Sequence, residues 1–177
     1  MSSIVDTLYE LKYNPFEFGA YLASFYSKLC ESENNLLLAP LVIPLCSHPF
    51  FLLKLNNAKP NSSIFTIFGG ETMLNTERDN KIYGGFSWKP HQKKIVHQEQ
   101  LFDLQERIDG FQELTEQSIQ YCLVNDWLSV DEQSLTFRAC DVSNSDFTNQ
   151  KSAEKLGRLF SGHSVVEIYA FLGVKPR

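Results

Sequence analysis

The chain has 177 residues, 43% of them hydrophobic, including 14 Phe, 7 Tyr and 2 Trp, which is one domain's length with enough apolar mass for a packed core and excludes a disordered or fibrous chain. With 21 acidic against 16 basic residues and a net charge of -5, a protein that coats nucleic acid by charge alone is also excluded, though a local basic patch is not. Cys30, Cys46, Cys122 and Cys140 are scattered outside any metal-ligand spacing, and the opening MSSIVDTLYELKYN lacks the basic-then-apolar pattern of a secretory signal, so the expectation is a reduced, cytoplasmic protein.

In chain order, NPFEFGAYLASFYSKLC comes first. Asn14 is placed to cap a helix, Pro15 to occupy its first position, and Phe18, Leu22, Phe25 and Leu29 recur at three or four, which predicts an amphipathic helix. LLLAPLVIPLC, Leu36 to Cys46, is eleven residues with two prolines, too short to span a bilayer, which takes about twenty. Its apolar residues define no face, so it should be buried all round, as a kinked helix or an extended segment, helix being favoured.

From Asn56 to His97 the character changes: a polar NNAKPNSS, a β-like IFTIF, then a charged stretch with two Gly pairs. Loops this long are usually functional or mobile. Near its end Lys89, His91, Lys93, Lys94 and His97 gather beside Trp88. Such a cluster suits phosphates with an aromatic for stacking, although a solvated loop with incidental lysines is the commoner fate.

LFDLQERIDGFQEL repeats Leu101, Leu104, Ile108 and Phe111 on one helical face, and TEQ opens a second helix with Thr115 as a candidate cap. In SVDEQSLTFRAC the period falls to two, with Leu135, Phe137 and Ala139 on one side of a hairpin turning at DEQS. A further helix begins near Lys151, where Lys151, Lys155 and Arg158 share one face and Leu156, Leu159 and Phe160 another. An ordinary solvated face is the simpler account of that basic stripe; the functional one is contact with DNA or an acidic partner. Helix, helix, hairpin, helix is the order of a winged-helix-like unit. Its second helix, TEQSIQYCLVNDW, has no Lys or Arg, which favours protein contact over groove reading.

No phosphate loop, dinucleotide fingerprint, zinc-protease or serine-hydrolase signature occurs. Cys46 and His48 are two apart with no carboxylate to orient the imidazole, so a buried thiol beside a structural histidine is expected. Glu99, Asp103, Glu106, Asp109, Glu113 and Glu116 form a run of acids more simply read as a solvated face than as a catalytic pair.

The segment HSVVEIYAFLGVKPR is strongly apolar for a chain end. Together with LLLAPLVIPLCSHP and LQERI…F.ELTEQSIQYCLVNDWLSV, its EIYAFLGVKPR resembles the middle component of bacterial three-component ABC systems, a group that includes the Lamassu-type anti-phage and anti-plasmid defence systems. The resemblance covers the first helix, the Leu/Pro run and most of the chain from Leu101; residues 56–97 are longer and more polar than it would imply. It implies a small accessory subunit without catalytic residues or cofactors of its own, partnered by an SMC- or Rad50-like ABC ATPase and an effector nuclease, meeting DNA through the complex and no membrane. The function so implied is an adaptor that restrains the effector until foreign DNA is sensed.

The expected fold is mainly α, within the α+β class, as a single domain over 1–177: N-terminal helices in 1–55, a long irregular insertion over 56–97, and a winged-helix-like half over 98–177 ending in a docking helix. Ile168, Tyr169, Phe171 and Leu172 are the candidate partner-binding residues, although internal burial is the commoner fate of such a segment. Lys89, Lys93, Lys94, Lys151, Lys155 and Arg158 are the candidate contacts to DNA or an acidic partner. The rival reading is a free-standing winged-helix DNA-binding regulator, and a hydrolase built around Cys46 ranks behind both.

Overall fold

A computed structural model of the chain describes residues 4, 12–30, 32–76, 91–140 and 147–176. These residues are mostly helical with two small antiparallel ladders. Helix α1, Pro15–Tyr26, starts as its sequence dictates: the Asn14 side chain accepts from the Glu17 N–H at 2.8 Å and Pro15 occupies the first turn. Its inward residues Leu22, Ala23 and Phe25 are fully buried.

After a 3-10 turn, Asn35–Leu38, come α2, Ala39–Ser47, and α3, Pro49–Asn56. The Leu/Pro run is therefore helical, buried from Leu41 to Cys46. Pro44 sits inside α2 and Pro49 opens α3, and the path from Asn35–Ser47 to Pro49–Asn56 bends by 96°. Because α2 ends at Ser47 and His48 is extended, the last carbonyls of α2 have no intrahelical donor. Arg107 supplies one, its Nη1 donating to the Pro44 carbonyl at 3.0 Å.

The IFTIF stretch is a correction to the expected strand. Ile64–Phe68 forms helix α4, capped by Ser63, whose hydroxyl accepts from the Thr66 N–H at 3.3 Å. The cap outweighs the β-branched composition, because Ile64, Ile67 and Phe68 then share one buried face. Nor is the 56–97 stretch wholly irregular: β1, Glu71–Thr76, pairs antiparallel with β2, His91–Val96.

A second 3-10 turn, His97–Leu101, leads to α5, Leu104–Gly110, and α6, Gln112–Val124. The second helix begins at Gln112, ahead of the expected cap. Thr115 lies inside it, donating its hydroxyl to the Phe111 carbonyl at 2.8 Å. The hairpin is present, β3 Leu128–Asp131 with β4 Thr136–Ala139, but Leu135 does not point inward with Phe137. It sits at φ 50° in the turn and is 49% exposed.

Helix α7, Lys151–Phe160, and helix α8, Val165–Leu172, complete the order. Helix α1 packs against both α6 and α7, so the C-terminal elements do not form a core apart from the N-terminal ones. Gly157 permits one crossing, since a Cβ there would run into the Phe25 carbonyl. At the other, the Cys122 thiol donates to the Gly19 carbonyl at 3.2 Å. Aromatic rings continue the core from Phe25 through Phe160 and Phe68 to Phe51. No single helix among the described residues is long and apolar enough to cross a membrane.

Candidate partner-docking surfaces

The segment 34–37 is the local key to the surface. Asn35 is 3% exposed, yet both halves of its amide are satisfied by one residue of β4. Its Nδ2 donates to the Phe137 carbonyl at 3.1 Å and its Oδ1 accepts from the Phe137 N–H at 2.7 Å. Asn34 N–H donates to the Ser134 carbonyl and Leu36 N–H to the Leu135 carbonyl. The segment thus covers the outer edge of the hairpin, an edge that would otherwise present unpaired backbone groups. Tyr26 donates its hydroxyl to the Asn35 carbonyl at 3.0 Å, and Tyr169 donates to the Leu37 carbonyl at 2.6 Å.

Held from three sides, Leu36 and Leu37 form with Pro40 one wall of a cleft of about 270 Å³; Ile108 and Ile119 lie on the other wall and Glu116 on the rim. Helices α5 and α6 expose Glu106, Asp109, Glu113 and Glu116 along their length, and of these Glu116 lines the cleft. Gln105, Gln117 and Gln112 donate to Asp109, Glu113 and Glu116 respectively. Neutral amides hold these carboxylates in place without cancelling their charge. An apolar floor with the Glu116 carboxylate on its rim suits a segment that is apolar on one face and carries a basic residue beside it.

The tail is sewn into the chain's own core. Ile168, Tyr169 and Leu172 are at most 3% exposed. Ser164 and Glu167 form a reciprocal capping box at the start of α8, and Gly173, at φ 70°, closes it with the Val174 N–H donating to the Tyr169 carbonyl. Burial pushes the Tyr169 phenol up to about 12, so it remains a donor to Leu37. Phe171 alone of the four nominated tail residues is partly exposed. Its ring meets Phe65 edge to face at 4.7 Å between centroids, and Phe65 is 61% exposed. Sequence periodicity missed Phe65 because its segment was assigned to a strand.

Lys151 and Arg158 are exposed on α7 as expected. Lys155 is half-buried, its Nζ donating to the Asn56 carbonyl at the end of α3 at 2.7 Å. Lys93 and Lys94 stand on β2 opposite Leu74 and Met73, away in sequence and element from the α7 stripe. Lys89, with Trp88, lies outside the described residues.

Cys46 is fully enclosed, and burial pushes its thiol up to about 12, far from the thiolate needed for attack at neutral pH. The His48 imidazole is held below its ordinary value, first by burial and then by the nearby Arg107. Among the described residues no group of three or more His, Cys, Asp or Glu stands ready to hold a metal ion.

The model of the ABC-three component (ABC-3C) system Middle Component 3 family matches residues 2–176. No curated protein and no solved structure matches the chain. Because that match spans nearly all of the sequence, the chain belongs to the ABC-3C Middle Component 3 family.

Proposed function

We propose that this middle component is a non-catalytic, cytoplasmic adaptor in a bacterial anti-phage or anti-plasmid defence complex. It bridges an SMC- or Rad50-like ABC ATPase and an effector nuclease, and restrains the effector until foreign DNA is sensed. Membership in a three-component system supplies partner components. The observation that carries the bridging role is the apolar cleft between segment 34–37 and helices α5 and α6, open and rigidly walled in a chain whose own tail is already buried. Its occupant is an amphipathic helix of a partner component, with apolar residues for Leu36, Leu37 and Ile119 and a basic residue for Glu116. The exposed Phe65, backed by the partly exposed Phe171, offers a second contact, and Lys151, Lys155 and Arg158 a third, toward DNA or an acidic surface.

The test is co-purification of the full set of components with wild type and with Ile119→Lys, which puts a cation into the cleft at a half-buried position. The variant should fold and melt close to wild type, while the complex and the protection against phage or plasmid are lost. Unchanged assembly of a folded Ile119→Lys protein would remove the cleft from the interface.

A second reading, a free-standing DNA-binding regulator with a winged-helix-like unit, draws on the hairpin that follows α6 and on the α7 cations. Helix α6, QELTEQSIQYCLV, has no Lys or Arg to enter a groove, so in this reading too the helix meets protein.

A further inference from the structure

Beside the outer face of α7 the chain makes a turn that the sequence pattern did not connect with it. Residues 59–62 are closed by two hydrogen bonds. The Lys59 N–H donates to the Ser62 hydroxyl oxygen at 3.0 Å, and the Ser62 N–H donates to the Lys59 carbonyl at 3.0 Å. The turn and α7 together enclose a notch of about 30 Å³ lined by Lys59, Ser62, Lys155 and Arg158, with no carboxylate in its lining. Lys155 is pinned there by the Asn56 carbonyl. Among the described residues neither Lys59 nor Arg158 has an acidic partner, whereas the nearby Glu154 is occupied by Lys28 at 3.8 Å.

Three cationic residues line one notch with no acid among them, and the turn and the Lys155 anchor hold two of them in place. Such a lining favours an anion. Size narrows its identity: a space of about 30 Å³ takes about two water-sized groups, since one needs roughly 10–15 Å³. That accommodates the oxygens of one phosphate facet but no base. The donor set agrees, an Arg fork, two ammonium groups and a hydroxyl whose oxygen already accepts from Lys59, leaving its proton to donate.

We propose that Lys59, Ser62, Lys155 and Arg158 form a phosphate-binding notch that seats a backbone phosphate of nucleic acid. Lys151 extends the contact along the same helix. From Lys151 to Arg158 the helix rises about 10 Å, a length over which one strand of duplex DNA carries about three phosphates. The contact is blind to base sequence, because nothing in the notch reaches a base edge. It rests on the proposed role of the α7 face and deepens it by adding the 59–62 turn.

The test uses the full chain, a fluorescent 20-base-pair duplex read by anisotropy at several salt concentrations, and tripolyphosphate read by calorimetry. Wild type should bind the duplex with strong salt dependence. Lys59→Glu and Arg158→Glu should each weaken binding and lower the slope of log affinity against log salt by about 0.9, and Lys175→Glu, the same charge change on an exposed lysine elsewhere, should do neither. Lys59→Gln checks the result with a milder change on an exposed turn. Binding of tripolyphosphate but not of the duplex, lost in the same variants, would support the notch with a free oligophosphate as its source. The notch is overturned if wild type binds neither ligand, if Lys175→Glu loses as much as Lys59→Glu, or if the variants lose only assembly with protein components. The adaptor role is judged separately, by the Ile119→Lys co-purification.

Discussion

Replacing Asn35 by Ala should be among the most damaging single polar substitutions in this chain, and its size can be worked out from the hydrogen bonds. Both polar backbone groups of Phe137, a residue 5% exposed, depend on the Asn35 amide, at 2.7 and 3.1 Å. Without it each is left buried and unsatisfied, at about 1–3 kcal/mol apiece, so the expected loss is about 4 kcal/mol. In a protein of this size each kcal/mol moves the melting temperature by roughly 2–4 °C, which gives a fall of about 8–16 °C. Urea titration followed by circular dichroism, with tryptophan fluorescence as a second probe, measures it. Tyr26→Phe, which removes only the hydroxyl bonded to the Asn35 carbonyl at 3.0 Å, should cost about 1 kcal/mol. Because the same segment carries Leu36 and Leu37, Asn35→Ala should also weaken partner assembly at temperatures where it is still folded. A loss below about 1 kcal/mol would mean that water satisfies Phe137 and that the amide does not hold the cleft wall.

Gly157→Ala should destabilise by about 1–3 kcal/mol or more, because the new methyl meets the Phe25 carbonyl at the α1–α7 crossing; a neutral result in thermal melts would show that the helices can separate freely. Phe65→Ala should cost less than about 1.5 kcal/mol of stability, since Phe65 is mostly exposed, while reducing co-purification with partner components. Ile168→Ala, at a fully buried position, should cost about 2–5 kcal/mol, and equal stability losses in the two would contradict the assignment of their faces. Stability should also decline with acid. His48 and His97 both have imidazoles held below the ordinary value of 6.5, burial being the first cause for each. The unfolded chain therefore takes up protons before the folded one does, and the stabilisation present above pH 6.5 is lost as pH falls through the lower folded values. Urea midpoints between pH 8 and 5 should fall, and His48→Gln should flatten the slope; an unchanged slope in that variant would assign the effect elsewhere.

Much of the backbone was legible because its signals act within a turn. Asn14 and Pro15 start α1, the change from a period of four to two marks the hairpin, and the spacing of Leu156, Leu159 and Phe160 orients α7. In the run from Leu36 to Cys46 the lack of a polar face declared the burial of residues 41–46, but not that Leu36, Leu37 and Pro40 would stay partly exposed on the cleft wall. Composition could not separate helix from strand in IFTIF, where one serine hydroxyl on the Thr66 N–H tips a segment with four apolar residues into a turn of helix. The surfaces needed tertiary structure, because each joins segments far apart in the chain. Leu37 and Ile119 become facing walls only once Tyr169 and Asn35 have fixed the 34–37 segment. Phe65 meets Phe171, and Lys59 meets Arg158, across about a hundred residues each. In the tail, the sequence by itself determined a capped apolar helix. Which residues that helix kept for its own core and which it left on the surface was decided by packing, since the same periodicity describes a helix before and after it has found something to bury against.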